Sequence, residues 1–449
     1  MPGATLSRWT MSYFAVACLM LLVGQGLMVA GYGYPAVAIG APETLALVHV
    51  IAIGWLSLLM AGALLQFVPV LVAVPLVGGR FAAPALALLV GGLGTLVAGF
   101  VALSGHLGLP LVFLPIGGGM LLLGFGFLAA VLAATLLAAP LPLPARFVAL
   151  GVVSLGGTAL LGAAFTLALS GLGEAALFAG LLAEGVGLHA ALGLGGWLSI
   201  TAVGVSYRLL AMFLLVPEAE RRTSCAAWWA MAIAVALIAA CIACALFALA
   251  DTFLLFAMAL ALSLVAVLLY GGDVLHIYRS RKRRQAELNI RATFPAVIAF
   301  AISILLVNIP AIRAGDNIAA LVYLFVFGWL TGLGLAQLYK IVAFLTWLEA
   351  YGPILGRVPV PRVQDLVDEG VARILFRIYY GTAAAATLAL FCGTQNVFRG
   401  AVCLQLFATL ALMREFMRTR RLSIVPANLR APDGMVRPHL FLPLPLSRR

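Results

Sequence analysis

Twelve long apolar stretches constrain the fold of this chain more than any other feature of its sequence. A helix that crosses a bilayer needs about 20 mostly apolar residues, and each stretch is long enough. Only 9 % of the 449 residues are charged and 64 % are hydrophobic. A soluble core cannot bury that much apolar surface, so lipid must cover the remainder.

The predicted spans follow one another with short connections. They are centred on residues 9–31, 44–70, 82–104, 109–138, 146–170, 179–215, 225–249, 252–276, 293–312, 318–346, 372–393 and 397–416. Backbone polar groups have no partners in lipid, which restricts a spanning chain to helices or a closed barrel. Barrels need short alternating segments, which this sequence lacks. The sequence therefore predicts an all-α polytopic membrane protein.

Arginine placement predicts the orientation of the chain. The formal charge is +12. With twelve spans, most arginines fall in one set of loops and in the tail, whereas the other set holds only Arg313 and Arg399. The positive-inside rule places the arginine-rich side, with both termini, in the cytoplasm of a bacterial-type inner (plasma) membrane. The charge sits at helix ends, which favours contact with the lipid bilayer over nucleic-acid binding.

An internal repeat divides the spans. Gly-Trp-Leu occurs at 54–56, 196–198 and 328–330, in the second, sixth and tenth spans. Two positions after each tryptophan comes Ser57, Ser199 or Thr331, and seven positions after comes Gly62, Gly204 or Ala336. The simplest interpretation is three pseudo-symmetric groups of four helices, with units at about 1–139, 140–285 and 286–421.

Residues 422–449 form a Pro/Arg-rich cytoplasmic tail. Its five prolines predict an extended and poorly ordered segment.

The repeat also carries polar residues inside apolar helices. Eleven positions after each tryptophan stands Gln66, Arg208 or Lys340, and Tyr207 and Tyr339 precede the last two. Cations that faced lipid would cost a few kcal/mol or more. They are expected to face the bundle or a cofactor, or to snorkel to the cytoplasmic headgroups. We regard these five as candidate buried polar residues.

Two of the five histidines are candidates for a cofactor site. His49 and His189 lie near the outer starts of the second and sixth spans, six and eight residues before their tryptophans. Imidazole is the usual axial ligand of haem iron, and it also binds copper. A helix-end histidine with an interfacial hydrogen bond is the competing interpretation. Glu184 is either the acceptor that orients His189 or an acidic residue at a helix start.

The layout resembles the catalytic subunit I of haem-copper oxidases. The similarity is most specific for His189 to Tyr207, for Gly328 to Trp347, and for Asp273-Val274-Leu275 before a basic run. These stretches resemble small oxidase-subunit-I-like bacterial membrane proteins, and haem proteins of nitric-oxide response are another possible relative. The resemblance implies a haem held by His49 and/or a metal held by His189, and respiratory subunits or cytochromes as partners.

The chain also departs from that family. Leu321 and Tyr323 occupy, in the tenth span, the offsets that His189 and His49 hold in theirs, and the seventh span has no histidine. The resemblance therefore does not imply oxygen reduction, and it disfavours copper. It implies an electron-transfer, haem-handling or accessory respiratory role, with one haem or metal, or with none.

Two other functions remain open from the sequence. A secondary transporter of a small anionic or apolar solute also fits twelve spans with repeats, with Arg208 and Lys340 lining a path. A structural or assembly subunit of a respiratory complex fits equally. The threefold repeat of four spans favours the oxidase layout over a transporter, which usually has two repeats.

Overall fold

The computed structural model describes residues 9–105, 108–172, 182, 185–217, 220–247, 252–313, 315, 317–430 and 432–441. Within these residues, twelve helices are long and apolar enough to cross a membrane. They are α1 Thr10–Ala30, α2 Pro42–Val72, α3 Gly79–Leu103, α4 Phe113–Leu136, α5 Leu143–Leu169, α6 Gly185–Leu214, α7 Arg222–Phe247, α8 Phe253–Arg279, α9 Leu288–Val307, α10 Asn317–Ile354, α11 Glu369–Phe391 and α12 Gln395–Arg420.

All twelve predicted spans are confirmed as helices. The largest differences are at α10, which runs on to Ile354, and at α9, which spans Leu288–Val307 rather than residues 293–312. Apolar side chains cover each helix on all sides, which is typical of a segment that packs on one face and meets lipid on the other. In the described part of the chain, all regular secondary structure is helical and there is no strand.

Three helices form the centre of the bundle. In α2, α6 and α10, 61, 78 and 67 % of the most apolar window is buried, against 22–44 % in the other nine. These are the helices that carry the Gly-Trp-Leu repeat. Surrounding helices therefore shield them from lipid, and their polar side chains must find partners within the protein.

The two ends of the bundle differ in charge. Most of the arginines lie in or beside the connections that follow α2, α4, α6, α8 and α10, or near the end of α12 and in the tail, which returns to the same end. We call this the arginine-rich end, and the opposite one, with Arg313 and Arg399, the arginine-poor end. At the arginine-rich end, buried Asp273 accepts hydrogen bonds from Tyr207, Thr223 and Arg221, so these groups tie α6, α7 and α8 together.

The tail is more ordered than its prolines predict. Val436 N–H donates to the Ala350 carbonyl (3.3 Å), and the hydroxyl of Ser12 in α1 donates to the Phe441 carbonyl (2.6 Å). His439 lies beside Glu349 with its ring mostly buried. The prediction of a poorly ordered tail is thus wrong for its described residues, because backbone groups of the tail pair with α1 and α10.

Candidate functional site

The three tryptophans of the repeat meet at the centre of the bundle, where their indoles are almost fully buried. Each indole N–H donates to the hydroxyl that follows the tryptophan of another helix. The three bonds run from Trp55 to Thr331, from Trp197 to Ser57 and from Trp329 to Ser199, with N···O distances of 2.9, 3.1 and 3.0 Å. The bonds close a ring that joins α2, α6 and α10. We call it the tryptophan ring.

Each tryptophan lies in a segment of π-helix. The segments are Val50–Ser57 in α2, Ala191–Ile200 in α6 and Leu324–Thr331 in α10. Within them, the hydroxyls of Ser57 and Ser199 donate to carbonyls five residues earlier, at 2.8 and 2.7 Å. Each hydroxyl has thereby used its proton, which leaves its oxygen to accept from an indole. The wide π-helical turn and the tryptophan ring therefore support each other.

The glycine before each tryptophan lets another helix approach. A Cβ atom added to Gly196 would lie 2.6 Å from the Ser154 Cβ of α5. At Gly54 it would lie 2.8 Å from Met20 of α1, and at Gly328 2.9 Å from Ala299 of α9. Such distances exclude a side chain at these positions without movement of the neighbour. The three glycines therefore make equivalent contacts with α1, α5 and α9.

The two candidate histidines come together at the arginine-poor end. His49 of α2 and His189 of α6 have ring centroids 6.4 Å apart and planes inclined by 29°. Phe100 lies 5.2 Å from the His49 ring, and the edge of Phe165 lies 5.7 Å from the His189 ring. Histidines separated by 140 positions in the chain thus form one pair between two phenylalanines. We call these two residues the histidine pair.

Backbone carbonyls orient the two rings. Nδ1 of His49 lies 2.7 Å from the carbonyl oxygen of Leu45. A carbonyl can only accept, so Nδ1 carries the proton and Nε2 carries the lone pair that could bind a metal. The His189 ring lies against the Thr158 carbonyl, although its Nδ1 makes no hydrogen bond of normal geometry. A carbonyl behind Nδ1 is a common arrangement for a metal-binding histidine.

The spacing of the histidine pair fits two nitrogens on one metal. Two metal–nitrogen bonds of about 2.0–2.1 Å, with roughly 1.2 Å from each nitrogen to its ring centre, place collinear centroids about 6.4–6.6 Å apart. Within the described residues, no group of three or more His, Cys, Asp or Glu side chains could hold an ion. Haem iron needs only axial ligands from the protein, whereas zinc or copper(II) needs more.

Lys340 and Tyr339 of α10 lie at the arginine-rich end, whereas the histidine pair lies at the arginine-poor end. Lys340 Nζ lies 2.7 Å from Oε2 of Glu287. Burial raises the pKa of the Glu287 carboxyl, but hydrogen bonding to Lys340 and the nearby Arg283 hold the net value below the ordinary one. Tyr339 lines a small polar cavity of about 40 Å³ there, and its hydroxyl has no partner among the described residues.

The remaining candidate residues are not gathered around the histidines either. Tyr207 donates to Asp273 (2.9 Å) at the arginine-rich end, Arg208 is half-buried beside it, and Gln66 is buried in α2. Glu184 lies outside the described residues, so its predicted role beside His189 stays a prediction. The structure thus brings together His49 and His189, whereas the polar residues eleven positions after the tryptophans lie toward the other end of the bundle.

The sequence analysis missed a further set of buried polar residues, which comprises Tyr323, Gln405 and Gln25. The hydroxyl of Tyr323, at the offset that His49 occupies in its own helix, donates to Oε1 of Gln405 (2.7 Å). Gln25 of α1 is fully buried, and its amide has no partner among the described residues. A glutamine within an apolar span was the signal that could have revealed Gln25 and Gln405. Arg399 Nε of α12 donates to the Val29 carbonyl of α1 (2.9 Å), which joins the two helices that carry the glutamines.

Comparisons with known proteins provide no family for this chain. No model of a known protein family matches the sequence, and no curated protein sequence matches it. Function must therefore be argued from the histidine pair, the tryptophan ring and the cavities of the bundle.

Proposed function

We propose that the histidine pair binds one haem in an oxidase-subunit-I-like membrane protein that serves electron transfer, haem handling or an accessory respiratory role. The observation that carries the proposal is the 6.4 Å between the His49 and His189 ring centroids. The Leu45 carbonyl, which takes the Nδ1 proton of His49, adds support because it leaves Nε2 as the ligating nitrogen.

The tryptophan ring supports the oxidase-like grouping in three units of four spans. Its three hydrogen bonds relate α2, α6 and α10 cyclically, as a pseudo-threefold axis requires. The equivalent glycine contacts with α1, α5 and α9 follow the same order. The arginine distribution supports an inner-membrane location with the arginine-rich end in the cytoplasm.

A haem held by His49 and His189 would supply one-electron transfer. The protein's part is to hold the imidazoles and exclude water. Phe100 and Phe165 pack on the two rings, and the tryptophan ring fixes α2 against α6 on the other side. A copper centre of the oxidase type is not proposed, because α7 contains no histidine.

The test is the optical spectrum of the purified protein, expressed with a supply of haem, with metal analysis alongside. We expect a reduced-minus-oxidised spectrum of six-coordinate haem in the wild type. His49→Ala and His189→Ala should each lose the haem or convert it to a five-coordinate form. The matched control is His276→Ala, because His276 is exposed at the other end of the bundle and its loss should leave the spectrum unchanged.

Two results would overturn the proposal. One is a wild-type protein that contains neither haem nor metal after expression with haem. The other is a His49→Ala, His189→Ala double variant that keeps the full wild-type spectrum.

A further inference from the structure

A large apolar cavity lies between α6, α7, α8, α9 and α10. Its volume is about 360 Å³, within the range of sites for small organic molecules. Gly187 and Ala190 of α6 and Val322 of α10 line it and are exposed. Exposure of lining residues indicates that the cavity opens sideways to the bilayer. A molecule dissolved in the membrane could therefore enter without passing through water.

One wall of the cavity is flat. Gly187, Ala191 and Gly195 recur every fourth residue along α6 and line the cavity together. A Cβ added to Gly187 or Gly195 would meet no atom within 4 Å, so there is open space in front of both. Phe256 and Phe325 line the cavity from α8 and α10. An apolar chain or ring would lie between small residues and aromatic rings.

Among the described residues that line the cavity, Arg313 is the one that carries a charge. Its guanidinium makes a single hydrogen bond among the described residues, to the Val307 carbonyl at 3.3 Å, and so keeps most of its five N–H donors. The hydroxyls of Ser263 and Ser303, by contrast, donate to carbonyls of their own helices. The cavity thus combines an apolar body with one cationic group at the arginine-poor end.

We propose that this cavity binds a long-chain fatty acid from the membrane. The acyl chain would lie along the glycine wall of α6, and the carboxylate would meet the guanidinium of Arg313 in a charge-assisted hydrogen bond. Since lipid tails are as apolar as the cavity, the acyl chain alone gives little selectivity, and the charged head supplies it. The inference does not depend on the haem proposal.

The experiment measures binding of cis-parinaric acid, a fluorescent fatty acid, to the purified full-length protein, beside its uncharged methyl ester. Gly195→Leu fills the cavity, and we expect roughly tenfold weaker binding of the acid. Arg313→Gln removes the charge, and the acid should again lose roughly tenfold, while the ester binds the wild type and this variant equally.

Two variants serve as matched controls. Gly126→Leu adds the same side chain at an exposed position of α4 where a Cβ also meets nothing. Arg399→Gln removes the other arginine of the arginine-poor end, which lies outside the cavity and pairs with Val29. Both should bind within about twofold of wild type, a difference too small to count as a lost hydrogen bond.

The proposal is overturned if the Leu variants at 195 and 126 bind the acid alike, or if Arg313→Gln leaves the preference for acid over ester unchanged. The first result would mean that the acid does not bind in the cavity, and the second that the cavity does not recognise the carboxylate.

Discussion

At the scale of single residues, the apolar interior makes it costly for any polar atom to lack a hydrogen-bond partner. Lipid and aliphatic side chains offer no hydrogen-bond partners, so a buried donor must find an acceptor within the protein. The hydroxyls of Ser57, Ser199 and Thr331 meet this need for the three indoles. The hydroxyl two positions after each tryptophan is therefore as much a part of the tryptophan ring as the indole.

Ser57→Ala removes the acceptor of the Trp197 indole and should lower the free energy of unfolding by about 0.5–1.5 kcal/mol, the usual range for such bonds between membrane helices. The loss should nearly vanish in a Trp197→Phe background, where the donor is already absent. Unfolding in mixed detergent micelles at rising SDS fraction measures both values.

The matched control is Ser170→Ala, because that hydroxyl donates only to a carbonyl of its own helix and its loss should be small. An equal cost of Ser57→Ala in the wild-type and Trp197→Phe backgrounds would contradict the assignment, since the pair would then have no coupling.

At the scale of helices, α2, α6 and α10 share a π-helical segment that contains a glycine in contact with a neighbouring helix. The extra residue of a π-helical turn rotates the preceding part of the helix relative to the rest. In α2 and α6 the preceding part carries His49 or His189. These segments therefore decide which way the histidines face, and they often mark functional sites in other helices.

Two adjacent glycines of α6 allow a test of close packing. Gly196→Ala should destabilise the protein by about 1–3 kcal/mol, because its Cβ would meet Ser154 at 2.6 Å and overpack the interface with α5. Gly195→Ala, whose Cβ meets open space, should be neutral or stabilising by up to about 1 kcal/mol through helix propensity. Thermal unfolding in detergent compares the two.

The informative outcome is which of these two variants destabilises the protein more. If Gly195→Ala were the more destabilising, or if both were neutral, the close approach of α5 and α6 would not hold, and neither would the equivalence of the three glycines.

At the scale of the whole molecule, the tail joins the ends of helices that are far apart in sequence. Arg420 at the end of α12 is almost fully buried and pairs with Glu349 of α10 at 2.9 Å. His439 of the tail adds a backbone N–H to the same carboxylate at 3.1 Å and accepts from Arg420 through its carbonyl. The tail thus completes a buried charge network.

Truncation after residue 421 removes these contacts and leaves Arg420 and Glu349 partly unsatisfied. Loss of hydrogen bonds to buried charged groups is costly, so we expect the midpoint of thermal unfolding to fall by several degrees. Truncation after residue 441 keeps the described contacts and is the control. Equal midpoints for the two shortened chains would show that the tail contributes no stability.

Much of this architecture could be predicted from sequence. Helix number and position follow from hydropathy, because the bilayer fixes both the length and the composition of a span. The counterpart relation of α2, α6 and α10 was readable from Trp55, Trp197 and Trp329, because identical spacings report a shared packing role. What no spacing could predict was that Ser57 would accept from Trp197 rather than from a residue of its own group.

The sequence by itself determined a twelve-span helical bundle with one arginine-rich end, since these depend on local composition. It also singled out His49 and His189, because histidine is rare in a span. Only the tertiary structure decided that the two rings lie 6.4 Å apart, that Lys340 pairs with Glu287, and that described residues of the tail contact α1 and α10. Those outcomes depend on the rotation and approach of whole helices, which π-helical turns and glycine contacts set in three dimensions.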